Sequence, residues 1–447
     1  MNTNFFQDES YKRLNKYQKK VVLSNRKNIL VLASAGTGKT STIVMKIKYL
    51  LKVLEVKKED ILCISFTNNT VNKLKEELNI PNIYTFHKLA HNIIGNKYEV
   101  LSEDMLTDVV RKAFNKSSLL SIFNMPKNDM CRLIVTFINI FKSKGYDINY
   151  FYKLINKANG KDKILLKEIM KCYVCYDSYL KEENLMDFND MINIAINCVD
   201  KKNINYKYII VDEFQDTSYN KFNLINKIRK KCNSNILLVG DDYQSIYRFT
   251  GSNIKIITDL RYYLPFLKIY KLKYTYRNSK ELNYVASKFI NRNPFQIRKK
   301  IRSFINNNGS INIVYYDNLE YKMNEIITKN NIKKLFILSR NNSDLNNVKL
   351  PYKKMTVHKS KGLECDYVFI INVNNNKNGF PNKYTDHYIL KYVNNYKEYY
   401  PYEEERRLFY VALTRCKKKV YIFVPRNNES IFIKEIKKYR NVIILSH

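Results

Sequence analysis

NILVLASAGTGKTST, residues 28–42, is the stretch on which the fold turns. Its apolar half, 28–33, is the length of a buried strand, its middle is glycine-punctuated, and its end opens an amphipathic segment, so the pattern predicts strand, loop and then a helix beginning near Thr40. Glycines at 36 and 38 let backbone N–H groups turn inward around phosphate oxygens, and the helix N-terminus adds favourable partial charge. Lys39 can reach the outer phosphates and Thr40 can ligate magnesium. The candidate nucleotide contacts are therefore Ala33, Ser34, Ala35, Gly36, Thr37, Gly38, Lys39, Thr40 and Ser41, with Ala33 standing where the general pattern has its first glycine.

Outward from this loop, short apolar runs at 61–65, 207–212 and 236–240 are each followed by a helix-like stretch, which predicts parallel strands of an α/β domain. The run 208–218, YIIVDEFQDTS, delivers Asp212 and Glu213 to the C-terminal edge of its strand, where such sheets bind ligands. One carboxylate can hold magnesium through water, while the other orients or deprotonates the attacking water. Between 86 and 187 the pattern changes to longer amphipathic stretches, as in 130–144 and 163–180, which predicts a helical insertion. Strand-like runs resume at 311–316, 334–338, 367–373 and 420–424, predicting a second α/β unit.

The chain has 447 residues, with 78 Lys plus Arg against 41 Asp plus Glu, a formal charge of +37. That balance favours a polyanionic partner, nucleic acid first, although the general richness in Lys, Asn, Ile and Tyr accounts for part of it. No apolar run approaches the ~18 residues of a membrane span and the first residues lack a signal-peptide pattern, so the expectation is a soluble intracellular protein of cytoplasm, nucleoid or nucleus. Eight scattered cysteines, with Cys172 and Cys175 the only close pair, point to packing rather than zinc.

Further motifs carry a family resemblance along nearly the whole chain. LNKYQ at 14–18, ISFTNNT at 64–70, TFHKLA at 85–90, VGDDYQSIYRFTGS at 239–252, YTYRNS at 274–279, TVHKSKGLECDYVF at 356–369 and EEERRLFYVALTR at 403–415 occur in one order. With the loop and the DE pair, this order resembles superfamily 1 helicases of the UvrD/Rep type, in a compact, helicase IV-like form. DFNDM at 187–191 resembles the return from the inserted domain.

The resemblance implies two RecA-like motor domains with ATP and Mg²⁺ in the cleft between them and DNA as substrate. It implies that Gln18 reads adenine, Tyr276 stacks on it, Glu364 touches the ribose and Gln244 senses the γ-phosphate. Arg277 and Arg415 would stabilise transferring charge beside Lys39, Asp212 and Glu213. Phe66, Tyr247 and Phe249 would stack on bases, with Thr67, Asn68, Thr85, His87 and His358 adding polar contacts; His91 and His387 are left as structural.

The expected division is 1–92 and 187–266 for the first motor domain, 93–186 for the insertion and 267–447 for the second. Phe249 and Thr250 stand where the family commonly has Trp-Arg, and Ser41 where an arginine is common, which loosens adenine discrimination. Only 78 residues separate Arg277 from Thr356, too few for the family's second inserted domain. The expected activity is ATP-driven 3′ to 5′ translocation on single-stranded DNA and unwinding of tailed duplexes by a monomer. Replication, repair or transcription proteins are the expected partners; the competing expectation is a DNA-bound remodelling factor with little unwinding of its own.

Overall fold

The computed structural model describes residues 3–101, 103–114, 117–307, 309–384, 386–394 and 399–445. In chain order the first region holds β1 (Asn28–Leu32), β2 (Ile61–Ser65) and β3 (Ile83–Thr85), a short ladder of β4 (Glu99–Val100) with β5 (Leu185–Met186), then β6 (Tyr208–Val211), β7 (Asn235–Gly240) and β8 (Lys268–Lys271). Six of these make one parallel sheet, ordered β3-β2-β6-β7-β1-β8. Its central strands are apolar because both faces are covered: Leu30 and Leu32 enter one core with Ile209 and Leu238, while Ile29, Val31 and Ala33 enter the other with Ile43 and Ile47.

A two-strand pair, β9 (Tyr274–Thr275) and β10 (Arg302–Ser303), leads into the second region. That region holds β11 (Ile311–Tyr316), β12 (Leu335–Ser339), β13 (Lys353–Thr356), β14 (Cys365–Ile370), β15 (Cys416–Pro425) and β16 (Val442–Leu445). They pair in parallel as β13-β12-β14-β15-β11-β16. Counted within each sheet the order is the same, 3-2-4-5-1-6.

The expected boundary at residue 267 is corrected. β8 lies beyond it, yet Ile29 to Leu32 of β1 pair with Lys268 to Lys271, so the first sheet recruits its edge strand from the expected second domain. Polar residues at 268, 271 and 273 had hidden an edge strand.

Five helices between Glu103 and Glu182 form the insertion around Phe137, Phe141, Phe151 and Leu166. Its return is pinned by Lys142, buried, whose Nζ lies 2.5 Å from Asp187 and 2.6 Å from Asp190. The second region also reaches this body: Ile389, Leu390 and Val393 join the insertion's core, and Lys391 and Tyr392 meet Asp162 at 3.0 and 2.9 Å.

Candidate nucleotide cleft and nucleic-acid track

β1 ends in the loop 33–38, and the helix Lys39–Lys52 comes next with Gly38 as its N-cap, left-handed at φ 78° and with no side chain closing the helix end. The first amides of that helix are thus left for a ligand, the arrangement an anion needs. Gly36 is required by space as well as by its φ of 71°: a Cβ there would sit 2.4 Å from the Cβ of Arg277. Ala33 departs from its expected place among the phosphate contacts. Its N–H donates to the Gly240 carbonyl (2.9 Å) and its carbonyl accepts from Lys299 (3.1 Å), so its backbone is committed to the sheet.

Lys39 Nζ lies 2.7 Å from Glu213 Oε1, and Gln215 donates to the other carboxylate oxygen at 2.6 Å. Glu213 holds φ 49°, a costly conformation for a non-glycine residue, of the kind that accumulates at functional sites. Burial works to raise its pKa, but Lys39 and Lys361 outweigh it and hold the group down at about 2, ionised at neutral pH. Burial and the Glu213 charge push the neighbouring Asp212 well above the usual carboxylate range. A buried carboxylate disfavouring its own charge is one that a bound cation would stabilise; with Thr40 at the start of the helix, the donor set is the sparse one Mg²⁺ uses beside substrate phosphates.

The β9–β10 pair and the second region close on this loop. Thr275 Oγ1 donates to the Ala35 carbonyl (2.8 Å) and Tyr276 N to the Gly36 carbonyl (2.9 Å). Arg277 is held by Glu364 at 2.7 Å, and Glu364 by Lys417 at 2.6 Å, so the residue expected at the ribose anchors an arginine here. Arg415 is buried and donates to Gln244 Oε1 (3.0 Å) and to the Val411 and Leu363 carbonyls. Burial, then repulsion from Arg277, lowers its pKa to about 9. On the base side, Gln18 completes a capping box with Asn15, Asn15 donates to the Tyr276 hydroxyl (2.9 Å), and a cavity of about 320 Å³ lies between Gln18, Gly38, Ser41 and Tyr276.

Gln244 leads within three residues to the other half of the site. Phe66 and Tyr247 stack with centroids 5.6 Å apart and planes 11° from parallel; Phe249, 57% exposed, meets Tyr247 and His358 edge-on at 6.1 and 5.6 Å. Lys221 lies over Phe66 at 5.3 Å and Lys361 over Tyr247 at 4.8 Å. The Tyr247 hydroxyl donates to the His358 carbonyl (3.1 Å), so the row crosses from the first region to the second. It borders a cleft of about 970 Å³ with Arg340, Lys359 and Lys383 among its walls.

His87 packs on Phe188 at 4.8 Å. Burial, reinforced by Lys221, lowers His87 to about 4; burial, then Arg340 and Lys361, does the same for His358, so both are neutral at physiological pH. The Thr67 and Thr85 hydroxyls cap the helices Asn68–Glu77 and Phe86–Ile94, which commits them locally. Sequence reading did not single out Thr275, Gln215, Lys221 or Lys361 for a role. Thr275, Gln215 and Lys361 sit inside quoted motifs, so their neighbours were a signal, whereas Lys221 has none outside the fold.

Fold and site together define a two-domain, nucleotide-driven motor with an aromatic polymer track. The UvrD/REP helicase N-terminal domain matches residues 14–264, and the viral superfamily 1 RNA helicase core domain matches 182–424. DNA helicase IV of Escherichia coli K12 is 27% identical over 97% of this chain and 71% of its own length. ATP-dependent DNA helicase Rep of Buchnera aphidicola subsp. Baizongia pistaciae is 31% identical over 68% of this chain, and PcrA of Staphylococcus epidermidis 26% over 71%. The chain spans about half the length of these last two, 47% and 46%. It belongs to the UvrD/REP helicase family, and so to the ATP-hydrolysing superfamily 1 DNA helicases, with helicase IV among its relatives.

Proposed function

We propose that this chain translocates 3′ to 5′ along single-stranded DNA and separates tailed duplexes in replication, repair or recombination, hydrolysing ATP between its two sheets. The observation that carries this is that Gln244 accepts from Arg415 in the cleft while Tyr247, three residues on, forms the track with Phe66 and His358. A change at the γ-phosphate is thereby transmitted to the bases through one short segment.

When ATP enters, Lys39 exchanges Glu213 for phosphate oxygens, which frees that ionised carboxylate, oriented by Gln215, to position and deprotonate water. Thr40 and Asp212 would hold Mg²⁺, which supplies positive charge against the phosphates. Arg415, just before β15, comes from the second sheet and Arg277 from the β9–β10 pair that joins the two sheets, an effect worth roughly 10³ to 10⁵ in rate for an arginine finger. Closure and reopening of the sheets then alternately tighten and release Phe66, Tyr247 and Phe249 on successive bases, with the chain acting as a monomer.

ATPase and strand-separation assays with 3′-tailed, 5′-tailed and RNA substrates test activity, polarity and substrate together. Unwinding of only the 5′-tailed duplex would overturn the polarity, and equal stimulation by RNA the DNA preference. A second reading, ATP-driven remodelling of DNA-bound proteins with little unwinding, is favoured by the interval from Arg277 to Thr356. Its described residues form only β10 to β13 with three helices and their connections. Single-strand translocation without strand separation would select it.

A further inference from the structure

We infer that a second single-stranded nucleic-acid arm binds a basic belt running from the open edge of the first sheet onto the second region, apart from the aromatic track. Two adjoining grooves compose it. One, about 610 Å³, lies along β8 with Lys20, Lys268, Lys271 and Lys273. The other, about 1110 Å³, lies between the helix Lys280–Ile290 and the extended segment 298–304. The Lys271 ammonium donates to the Arg298 carbonyl at 2.9 Å and Arg302 N to the Lys273 carbonyl at 2.7 Å, so the two are continuous.

A basic protein has basic grooves by chance, and the composition sets the comparison. At the chain's ratio of 78 cations to 41 carboxylates, the eleven exposed Lys and Arg lining the two grooves would be accompanied by about six carboxylates; none is among the lining residues, and of the eleven Arg292 is ion-paired, with Glu435 at 2.9 Å. The cleft beside the track, by contrast, includes Asp386, Glu404 and Glu405.

The geometry selects a single strand. Arg298, Lys300, Arg302 and Phe304 alternate outward along the extended segment, with cations at every second residue, about 6.6 Å apart. Phe304 is 67% exposed and Tyr284, across the groove, 44%. Cations tracking a backbone beside open aromatic faces are the requirements for binding single strands. The row is also held rigid: between its outward residues, buried Lys299 ion-pairs with Asp241 and Asp242 and donates to the Ala33 carbonyl, so its cations are pre-positioned.

The proposal takes from the functional reading only that the ligand is nucleic acid. Fluorescence anisotropy with the full chain would compare a duplex bearing one 3′ oligo-dT arm with the same duplex bearing both 3′ and 5′ arms. The two-armed fork is expected to bind about tenfold tighter. The combined change Lys300→Glu, Arg302→Glu and Phe304→Ala removes that preference and flattens the salt slope on the fork by about 1.4, two phosphates' worth for a single strand. Lys280→Ala with Lys288→Ala, on the opposite wall, lowers the preference in the same sense and covers a misfolded first variant, which a far-UV melt would reveal. A preference retained in both variants, or absent from the wild type, overturns the belt. Blunt duplex competing as well as oligo-dT for the second arm would make it a duplex site, and polyglutamate doing so a protein-docking surface; either overturns the assignment. Phe249→Ala weakens 3′-arm binding and leaves the two-arm preference, so failure of the track and failure of the belt are separate results.

Discussion

The two six-stranded sheets share one strand order but diverge directly beyond their first strands. After β1 come a glycine loop and a helix whose N-terminus no side chain caps. After β11 come Asp317 and Asn318, and the Asn318 side chain accepts from Tyr321 N at 3.0 Å, capping the helix Leu319–Lys329. One helix leaves its first amides without a side-chain cap, whereas in the other Asn318 takes up the Tyr321 amide. The fourth strands differ likewise: β6 runs into Asp212 and Glu213, β14 into Ile371 and Asn372. The same strand order thus ends in an uncapped glycine loop beside paired carboxylates in one sheet and in a capped helix in the other, so the difference between them resides in the loops.

The largest test of this asymmetry is Lys39→Ala. Removing the one charge that both cradles phosphate and masks Glu213 is expected to lower DNA-stimulated ATPase by roughly a thousandfold. A rate unchanged from wild type would sink the assignment of chemistry to the first sheet. Arg415→Ala tests the other half: a fall of about 10³ in kcat, the low end of the range for an arginine finger, with nucleotide affinity within a few fold, is expected of a group that acts as charge moves. Loss confined to affinity would make it a binding residue only.

Much of this was legible because phosphate chemistry constrains residue type at fixed spacing. Residues 28–42 specify strand, loop and helix, and Asp212 and Glu213 declare themselves at a strand end. Lys268 to Lys271 did not read as a strand, since lysines at both ends, one on each face, break the apolar run that a covered central strand shows. Nor could sequence show that Glu364 anchors Arg277, that Ala33 belongs to the sheet or that Thr67 and Thr85 cap helices. Those are choices among partners equally able to accept a hydrogen bond, and tertiary placement makes the choice.

The track gives the next effect in size. Phe249→Ala removes an exposed stacking face and is expected to cost about 1 to 3 kcal/mol of single-strand affinity, while ATPase without DNA stays level. Titration of labelled oligo-dT would check it, and an unchanged affinity would show the ring to be packing. Smaller again is Asn318→Ala, the mirror of the Lys39 change in the second sheet. Loss of this cap should cost about 1 kcal/mol, a fall of about 2 to 4 °C in Tm for a unit of this size, with DNA-stimulated kcat unaltered. A kcat loss comparable to that of Lys39→Ala would erase the functional difference between the two sheets.

The smallest expected effect concerns His87 and His358, which flank the track from opposite regions. Burial holds both pKa values at about 4, below the ordinary 6.5, so neither changes charge between pH 6 and 8. The salt slope of single-strand binding should therefore be equal at pH 6 and pH 8; a slope steeper by about 1.4 at pH 6 would show both rings charged and paired with phosphate. Their effect on stability has the opposite pH profile to that of a paired histidine. The unfolded chain takes up protons from about pH 6.5 downward while the folded one resists until about 4, so the stabilisation is full above 6.5 and is lost as pH falls through that window. Replacing both by Gln should flatten the decline of Tm between pH 6.5 and 4, and an unaltered decline would place these rings in contact with solvent rather than in the walls of the track.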